Sequence, residues 1–530
     1  MVTGTRLFVR LPFFLLRPLH PGEAQQMLRR RLERREDDFL TLVRRTVYEH
    51  ARSPYRQLLM LAGCEYGDLE KLVKQVGVEE ALKVLYRHGV YLAVDEFKGR
   101  RPVVRGGSTI PLDPKQLRNP HVSAHLFSGS SGSRGRSIPA PIDLASVRDH
   151  AVNKGLCLQV WDALGCEHAH WAVPGGAVMF QMLQLAALGL SPARWFSQLD
   201  PRRPDLHFRY RWAARTLRWG SALAGISMPS PSYVPLDSPL PVARWMAQVL
   251  RVGRTPHLHT YTSSAVRVSQ AAFDNGIDLR GAKFSVGSEP ITTTRLSAIR
   301  CTGADVEPTY GSSETGMIAW GCFAPNTPDE HHLFHDLLAL TQPGADGESA
   351  NMPPDTLLIS SLRSTARFIL LNVSLGDRAE VFKRACGCGL ERLGWTTHLR
   401  TIRSFEKLTA GGMMFLDADV IRVLEDLLPE RFGGGPTDYQ LVEEEAEGGQ
   451  PRVRLLIHPA VGSLDMTAVR EMFLAAIGGG SGADRVMELQ WRAAGLFTVE
   501  RRPPLMNGLG KIQHIHYNQR EARPASTNRV

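Results

Sequence analysis

Residues Pro308–Gly321 read PTYGSSETGMIAWG. An aromatic, Tyr310, is followed by Gly311, then by hydroxyls that flank one carboxylate, Glu314. An aromatic face can stack on a planar base, and Mg²⁺ prefers a small number of carboxylate oxygens together with phosphates, so Tyr310 and Glu314 suit a metal-nucleotide site. The same pattern also suits a tight turn between a strand and a helix.

Working outward, VGSEP (Val286–Pro290) precedes this stretch, and FSGSSGSRGRS (Phe127–Ser137) lies further upstream, between the strand-like HVSAHLF and the helical DLASVRDHAV. Glycines let backbone N–H groups approach phosphate oxygens, hydroxyls donate to them and a basic residue offsets their charge. The loop is not a Walker A motif, since GK[ST] does not follow at the required spacing, and a Ser/Gly linker has the same composition. Downstream, LGDRAEVF places Asp377 after a glycine, where it could accept from a ribose diol or simply terminate a turn. PPLMNGLGKIQHI sets Lys511 on a Gly-flanked turn.

The order of these segments says more than any one of them. A Ser/Gly loop, GSEP, YGSSETG, GD and a C-terminal GK follow one another as in the adenylate-forming superfamily. The chain most resembles its phenylacetate-CoA ligases and coenzyme F390 synthetases, through the GSEP form, the CGCG pair and a helical lead-in, over roughly residues 40 to 515. The resemblance implies ATP-dependent activation of a carboxylic acid to acyl-AMP, then transfer to a thiol of coenzyme A or a carrier protein. Other outcomes of the same resemblance are transfer to an amine, a protein side chain or a deazaflavin, or a degenerate nucleotide-binding homologue.

Residue by residue, the resemblance implies that Ser128, Gly129, Ser130, Ser131 and Gly132 hold the β- and γ-phosphates of ATP. Gly287, Ser288, Glu289 and Pro290 would line the adenine pocket with Tyr310 and Gly311. Glu314 would hold Mg²⁺, Ser313 or Thr315 would lie near the α-phosphate, Asp377 would take the ribose and Lys511 would bridge carboxylate and α-phosphate. Arg403 and Glu406 stand where the family keeps its arginine and hinge acid. Three stretches depart from the pattern: Phe405 and Glu406 replace paired aspartates, GMMFLD from Gly412 replaces GVNVFP, and Asn372, Val373 and Ser374 replace the arginine-rich form before Asp377. Cys322, His332, Cys386 and Cys388 match a Cys/His set that zinc-bearing relatives keep, with His331 and His335 as competitors. Four such ligands make a closed structural Zn²⁺ site, whereas C-x-C alone is commonly a turn with free thiols. The acyl pocket falls near WAVPGGAVMF and HTYTSSAVRV, whose aromatic and small residues suit an aryl or apolar acid.

The whole chain is consistent with a large cytoplasmic enzyme. Its 530 residues exceed one core's usual reach, and 43% hydrophobic with 22% charged is ordinary globular usage. The net charge of +10 favours anionic partners, but no basic stripe interleaved with aromatics suggests nucleic acid. LFVRLPFFLL near the start is broken by Arg10 and Pro12 and is too short to span a bilayer. Seven cysteines in such a chain do not make a disulfide scaffold. The expected fold is α/β: a helical lead-in (1–100) belonging to a large multi-sheet adenylate-forming domain (101–402), then a small mobile α+β domain (403–530). A domain boundary is also read after Asp377, and PSPSYVPLDSPLP reads as a surface loop.

Overall fold

The computed structural model describes residues 2–128, 138–202, 208–344, 352–404, 407–408, 415–416, 420, 422–435, 438–445, 450–479, 482–505 and 515–518. The lead-in is helical, as its periodicity requires: α1 (Val2–Leu15), α2 (Pro21–Glu33), α3 (Arg35–Val43), α4 (Pro54–Leu61), α5 (Tyr66–Arg87) and α6 (Val94–Phe97). In α5, Leu69 and Val73 are buried before the kink at Gly77, where φ is +80°, and Val78, Ala81, Leu82 and Leu85 follow it at i, i+3, i+4 and i+7.

A twelve-stranded sheet forms the body. Its strands in chain order are β1 (Glu167–Ala172), β2 (Arg194–Ser197), β3 (Pro231–Tyr233), β4 (Pro256–Tyr261), β5 (Lys283–Gly287), β6 (Asp305–Ser312), β7 (Gly316–Gly321), β8 (His331–Leu333), β9 (Leu338–Thr341), β10 (Thr356–Ser361), β11 (Val373–Lys383) and β12 (Thr397–Ser404). Across the sheet they run β9-β10-β11-β12-β8-β7-β6-β5-β4-β1-β2-β3. The run β3-β2-β1-β4-β5-β6 is parallel and the remainder antiparallel. Helices α7 (Leu144–Val160), α8 (Gly176–Ala187) and α9 (Phe208–Ala222) lie toward one face, and α10 (Leu240–Arg251), α11 (Thr262–Asp274) and α12 (Thr293–Arg300) cover the other. This is a doubly wound order whose direction of build reverses between β1 and β4, and ligands of such sheets bind outside the strand carboxyl ends at that reversal.

Two expectations change. The loop PSPSYVPLDSPLP contains β3, which pairs in parallel with β2 at the sheet edge, where proline costs no ladder bond. The chain also stays in the body beyond Asp377: β11 and β12 pair with each other, and buried Ala379 and Leu399 hold them to the core. The large sheet ends at Ser404.

The expected pair YQLVEEE and RVRLLIH forms β13 (Tyr439–Glu445) and β14 (Pro451–Ile457), antiparallel with Leu441 opposite Leu455. With β15 (Phe497–Arg501) and β16 (Ile515–Asn518) they make a four-stranded sheet in the order β15-β14-β13-β16. The helices Met466–Gly478 and Gly482–Ala494 accompany it, and a core of its own includes Leu441, Leu455, Phe473 and Trp491. The second helix places Val486 and Leu489 on Val173 and Leu199, so the C-terminal unit rests beside the carboxyl end of β1.

One layer of the body is unusual. Lys154 of α7 is fully buried, and its Nζ has no hydrogen-bond partner among the described residues. Beneath it lie His168 and His170 of β1 and His257 and His259 of β4, all buried. Burial pulls the Lys154 amine down to about 7 and holds all four imidazoles below their ordinary value. The lysine lowers the stability of the folded state near neutral pH. Between pH 7 and 10.5 the unfolded chain binds a proton that the folded chain lacks, so folding stability contributed by this group rises with pH. In metal-free protein Lys154→Met is expected to be more stable than the parent by ~3 kcal/mol at pH 8, with the gap closing toward pH 10.5. Urea unfolding across this range checks it, and a gap independent of pH would refute it.

Candidate active site

The antiparallel pair Leu126–Ser128 and Ala140–Ile142 flanks the Ser/Gly loop. It presses so closely on α8 that a Cβ on Gly176 would lie 2.4 Å from the Phe127 carbonyl oxygen. Buried Ser128 is thereby set beside the first turn of α8. Gly129, Ser130, Ser131 and Gly132 lie outside the described residues, as do Phe405, Glu406, Gly412 and Lys511.

At the end of β5, Gly287 closes on Thr309, whose Oγ1 would be 2.7 Å from an added Cβ. Ser288 follows with φ of +66°. Glu289 turns into the protein: its carboxylate accepts from Ser263 N and Ser263 Oγ, both at 2.8 Å, and pairs with Arg295 at 3.4 Å. Burial pushes this carboxyl up, against the opposing pull of Arg295 and Ser263. Glu289 therefore holds the first turn of α11.

The stretch YGSSETG is a turn between two strands, β6 and β7, and not between a strand and a helix. The register shifts between Tyr310 and Gly311, and Gly311 has no room for a side chain because Gly316 O would be 2.6 Å from its Cβ. Tyr310 donates its hydroxyl to Asp377 Oδ2 at 2.8 Å, joining the hairpin to β11. Burial and the neighbouring carboxylate push the phenol well above its ordinary value, so Tyr310 stays a donor. The Ser312 and Thr315 hydroxyls lie 2.9 Å apart and stiffen the turn.

Glu314 is buried, and Lys98, from the turn after α6, pairs with it at 2.5 Å. Arg367 donates from Nη1 to Ser313 O at 2.9 Å and lies 3.9 Å above the Phe180 ring. Its Nε and Nη2 are buried without hydrogen-bond partners among the described residues. Burial lowers this guanidinium to about 10. Glu314, Thr315, His150, Asp149 and Arg367 line one cavity. Arg403, on β12, is paired with Asp329 at 3.2 Å.

Cys322, His332, Cys386 and Cys388 converge, each offering a donor atom within 4.8 Å of the others. His332 Nε2 is 3.2 Å from Cys388 Sγ and 3.6 Å from Cys386 Sγ. His332 Nδ1–H donates to the Trp395 carbonyl at 2.6 Å, which fixes the tautomer with Nε2 free for a metal. The hydrogen bond with Cys322, then that with His332, draws Cys388 toward the thiolate, while Cys322 keeps its proton. His331 and His335 are not in this group; His331 is bound to the Asp329 carbonyl and His335 borders Arg35.

Lys98, Arg367 and His150 were not singled out in the sequence reading. Nothing near Lys98 marks it, because its contact with Glu314 spans 216 positions. The H-x-H pairs of EHAHWA and PHLHTY were readable: alternation by two places each pair on one face of a strand.

Compared by sequence, no family model and no curated protein matches the chain. Compared by shape, it is similar to a 2-hydroxyisobutyryl-CoA ligase in complex with 2-HIB-AMP and CoA in its thioesterification state, with a TM-score of 0.55 at 14% identity over 92% of this chain and 89% of that one. An amide bond synthetase from Marinactinospora thermotolerans gives a TM-score of 0.39 at 11% identity over 87% and 91%, and a Brucella canis acyl-CoA synthetase gives 0.31 at 14% over 74% and 63%. The first of these likenesses shows the fold, a mixed α/β body with a small C-terminal domain, as in that CoA ligase.

A buried guanidinium short of acceptors suits an incoming anion. Arg367→Met is expected to leave ligand-free stability unchanged within about 1 kcal/mol, or raised, because it removes unsatisfied donors. The same variant is expected to lose most of any thermal shift that added ATP with Mg²⁺ produces in the parent. A full shift in the variant would remove Arg367 from the site.

Proposed function

We propose that the chain activates a carboxylic acid with ATP, forming acyl-AMP and pyrophosphate, and then transfers the acyl group to the thiol of coenzyme A. The observation that carries this reading is the fold likeness over 92% of the chain, combined with Tyr310, Glu314 and Asp377 standing together beyond the parallel strands. The chemistry is the joining of two anions. Donors and cations fixed where negative charge concentrates make such a step fast, each worth about 2.7–4 kcal/mol in the transition state.

In this reading the Ser128–Gly132 loop takes the β- and γ-phosphates, and Gly287, Ser288 and Pro290 line the base with Tyr310. Asp377, already fixed by the Tyr310 hydroxyl, meets the ribose. Glu314 would hold Mg²⁺ with phosphate oxygens, sharing its carboxylate with or releasing it from Lys98. Lys511, on the domain 403–530, neutralises the α-phosphate and the attacking carboxylate. The helical lead-in 1–100 and the body 101–402 supply everything else. An aryl or apolar acid would enter at the β1/β4 reversal, where Val173, Phe180 and Tyr261 are partly or fully buried.

The branch assignment is also a proposal: a phenylacetate-CoA ligase-like enzyme, supported by the GSEP form and by the Cys₃His set. Three sulfurs and one imidazole with a fixed tautomer fit Zn²⁺ in tetrahedral coordination. Cys322, His332, Cys386 and Cys388 would hold it. The ion would tie β7 and β8 to the β11–β12 connection and leave no position for substrate. Among the described residues no helix is long and apolar enough to cross a membrane, and we place the enzyme in the cytoplasm.

Acid-dependent exchange of labelled pyrophosphate into ATP, run over a panel of aryl and aliphatic acids, tests the first half-reaction. Lys511→Ala should lower the exchange by roughly 10²–10³-fold while ATP still binds. Absence of exchange with every acid, or an unchanged rate in the variant, refutes the proposal or the role of this lysine. Formation of acyl-CoA on adding coenzyme A separates a thiol acceptor from an amine or a protein.

A further inference from the structure

The polar layer between α7 and the parallel sheet has no part in the chemistry above. His168 and His170 on β1 face His257 and His259 on β4, in register as neighbours across a parallel ladder. His168, His257 and His259 are buried, and each offers a ring nitrogen within 4.8 Å of the other two. The Nδ1 atoms of His168 and His257 are 2.9 Å apart, and the other nitrogen of His257 is 2.8 Å from Ser285 Oγ.

We infer that His168, His257 and His259 form a binding site for a divalent transition-metal ion of the zinc class, separate from the cysteine-containing group.

Several observations support this assignment. Imidazole nitrogen suits Zn²⁺, Ni²⁺ and Cu²⁺, and a tetrahedral ion with bonds near 2.0–2.1 Å holds its nitrogen ligands about 3.3 Å apart. The His168 and His257 nitrogens, 2.9 Å apart, already lie within that spacing, and His259 offers a nitrogen within 4.8 Å of both. Two imidazole nitrogens can face each other at 2.9 Å only with a proton or a metal between them. A Ser285 hydroxyl accepting from His257 Nε2–H turns the lone pair of Nδ1 inward, the usual outer-shell arrangement of a metal-bound imidazole. Meanwhile His259 Nε2 and both nitrogens of His170 are buried without hydrogen-bond partners among the described residues. Buried polar atoms are costly to leave unpaired, so this layer is arranged to receive a partner.

Lys154 of α7 is buried over the same layer, with its Nζ lacking a hydrogen-bond partner among the described residues. Glu307 faces Ser285 in the adjoining register, buried, with its Oε2 lacking a partner among the described residues. Trp161 meets the His257 ring edge-on at 5.1 Å and closes the layer beside it. An ion here would clamp β1 to β4 directly below the reversal point where the crevice opens.

The test uses the full chain, stripped with a chelator and titrated anaerobically with Co²⁺. The expected result is two equivalents with separable spectra: a sulfur-to-metal charge-transfer band from the cysteine group, and ligand-field bands of a nitrogen-ligated ion. Cys386→Ser combined with Cys388→Ser should keep only the second, and His257→Gln only the first. X-ray absorption on zinc-loaded parent protein guards against a variant that fails to fold, and is expected to show nitrogen scatterers in excess of one imidazole per three sulfurs. One metal per chain with sulfur-rich coordination overturns the inference. So does a nitrogen-ligated equivalent that survives both His257→Gln and His168→Gln, as does a layer that takes up water alone.

Discussion

One buried guanidinium holds the halves of this protein together. Arg31 of α2 pairs with Asp149 at 2.7 Å and with Asp336 at 3.4 Å, and also donates to Asn153 Oδ1. Asp149 in turn takes Arg363, and Asp336 takes the Trp395 indole and the Asn153 amide. The network thus joins the lead-in, α7, the β8–β9 turn and the segment after β10. Burial alone would push the Asp149 carboxyl up; Arg31 and Arg363 overcome this and hold it below its ordinary value. Breaking such a pair by removing one partner typically costs about 3–5 kcal/mol, since the other charge is left buried. The cavity beside Glu314 and Arg367 is lined by Asp149 itself, so the hub that fixes the fold also fixes one wall of the site.

This arrangement explains why the YGSSETG turn stands where it does. β6 is the last parallel strand, and β7 is the first antiparallel one. The turn between them is therefore the one place where the doubly wound half and the antiparallel half share a loop. Tyr310 reaches across to Asp377 on β11, and Glu314 reaches back to Lys98 in the lead-in. Three units separated widely in sequence converge on a few residues, held by Gly311 and Gly287 at positions where a side chain would collide with neighbouring backbone or with Thr309.

How much of this was legible in the sequence depended on whether the deciding contact was local. The α5 periodicity, the YQLVEEE and RVRLLIH pair and the order of the motifs are short-range signals, and the structure contains the corresponding elements. Cysteine spacing with an upstream histidine was readable in the same way, and those four residues meet. What could not be read was pairing at a distance. Glu289 looks like a ligand-facing acid in GSEP, but its partner Ser263 lies 26 positions earlier. Asp377 looks like a boundary, yet the buried side chains of β11 and β12 keep the chain in the sheet. The H-x-H pairs were readable one strand at a time; that they become neighbours follows only from the placing of β4 beside β1.

The departure before Asp377 has a physical account of the same kind. Where the resembled enzymes carry arginines, this chain has Asn372 and Ser374, both fully buried. Asn372 takes φ of +49°, donates to the carbonyls of Leu82 and Val90, and accepts from Thr341 Oγ1 at 3.0 Å. Ser374 Oγ accepts from Gly376 N at 3.2 Å and so shapes the approach to Asp377. These positions serve the junction between lead-in and sheet, and cationic side chains there would have to displace α5 and the turn after it. Positive charge reaches the neighbourhood of Glu314 by another route, from Arg367 at the start of the same segment and from Lys98 in the lead-in. Arg367 is stacked on Phe180 and bound through a single nitrogen, which leaves the rest of its fork for an anion. A buried guanidinium with two unsatisfied donors is expensive to keep even beside Glu314 and Asp143, unless a ligand completes it. Conserving the charge while moving its source lets the lead-in close over the sheet without emptying the site of cations.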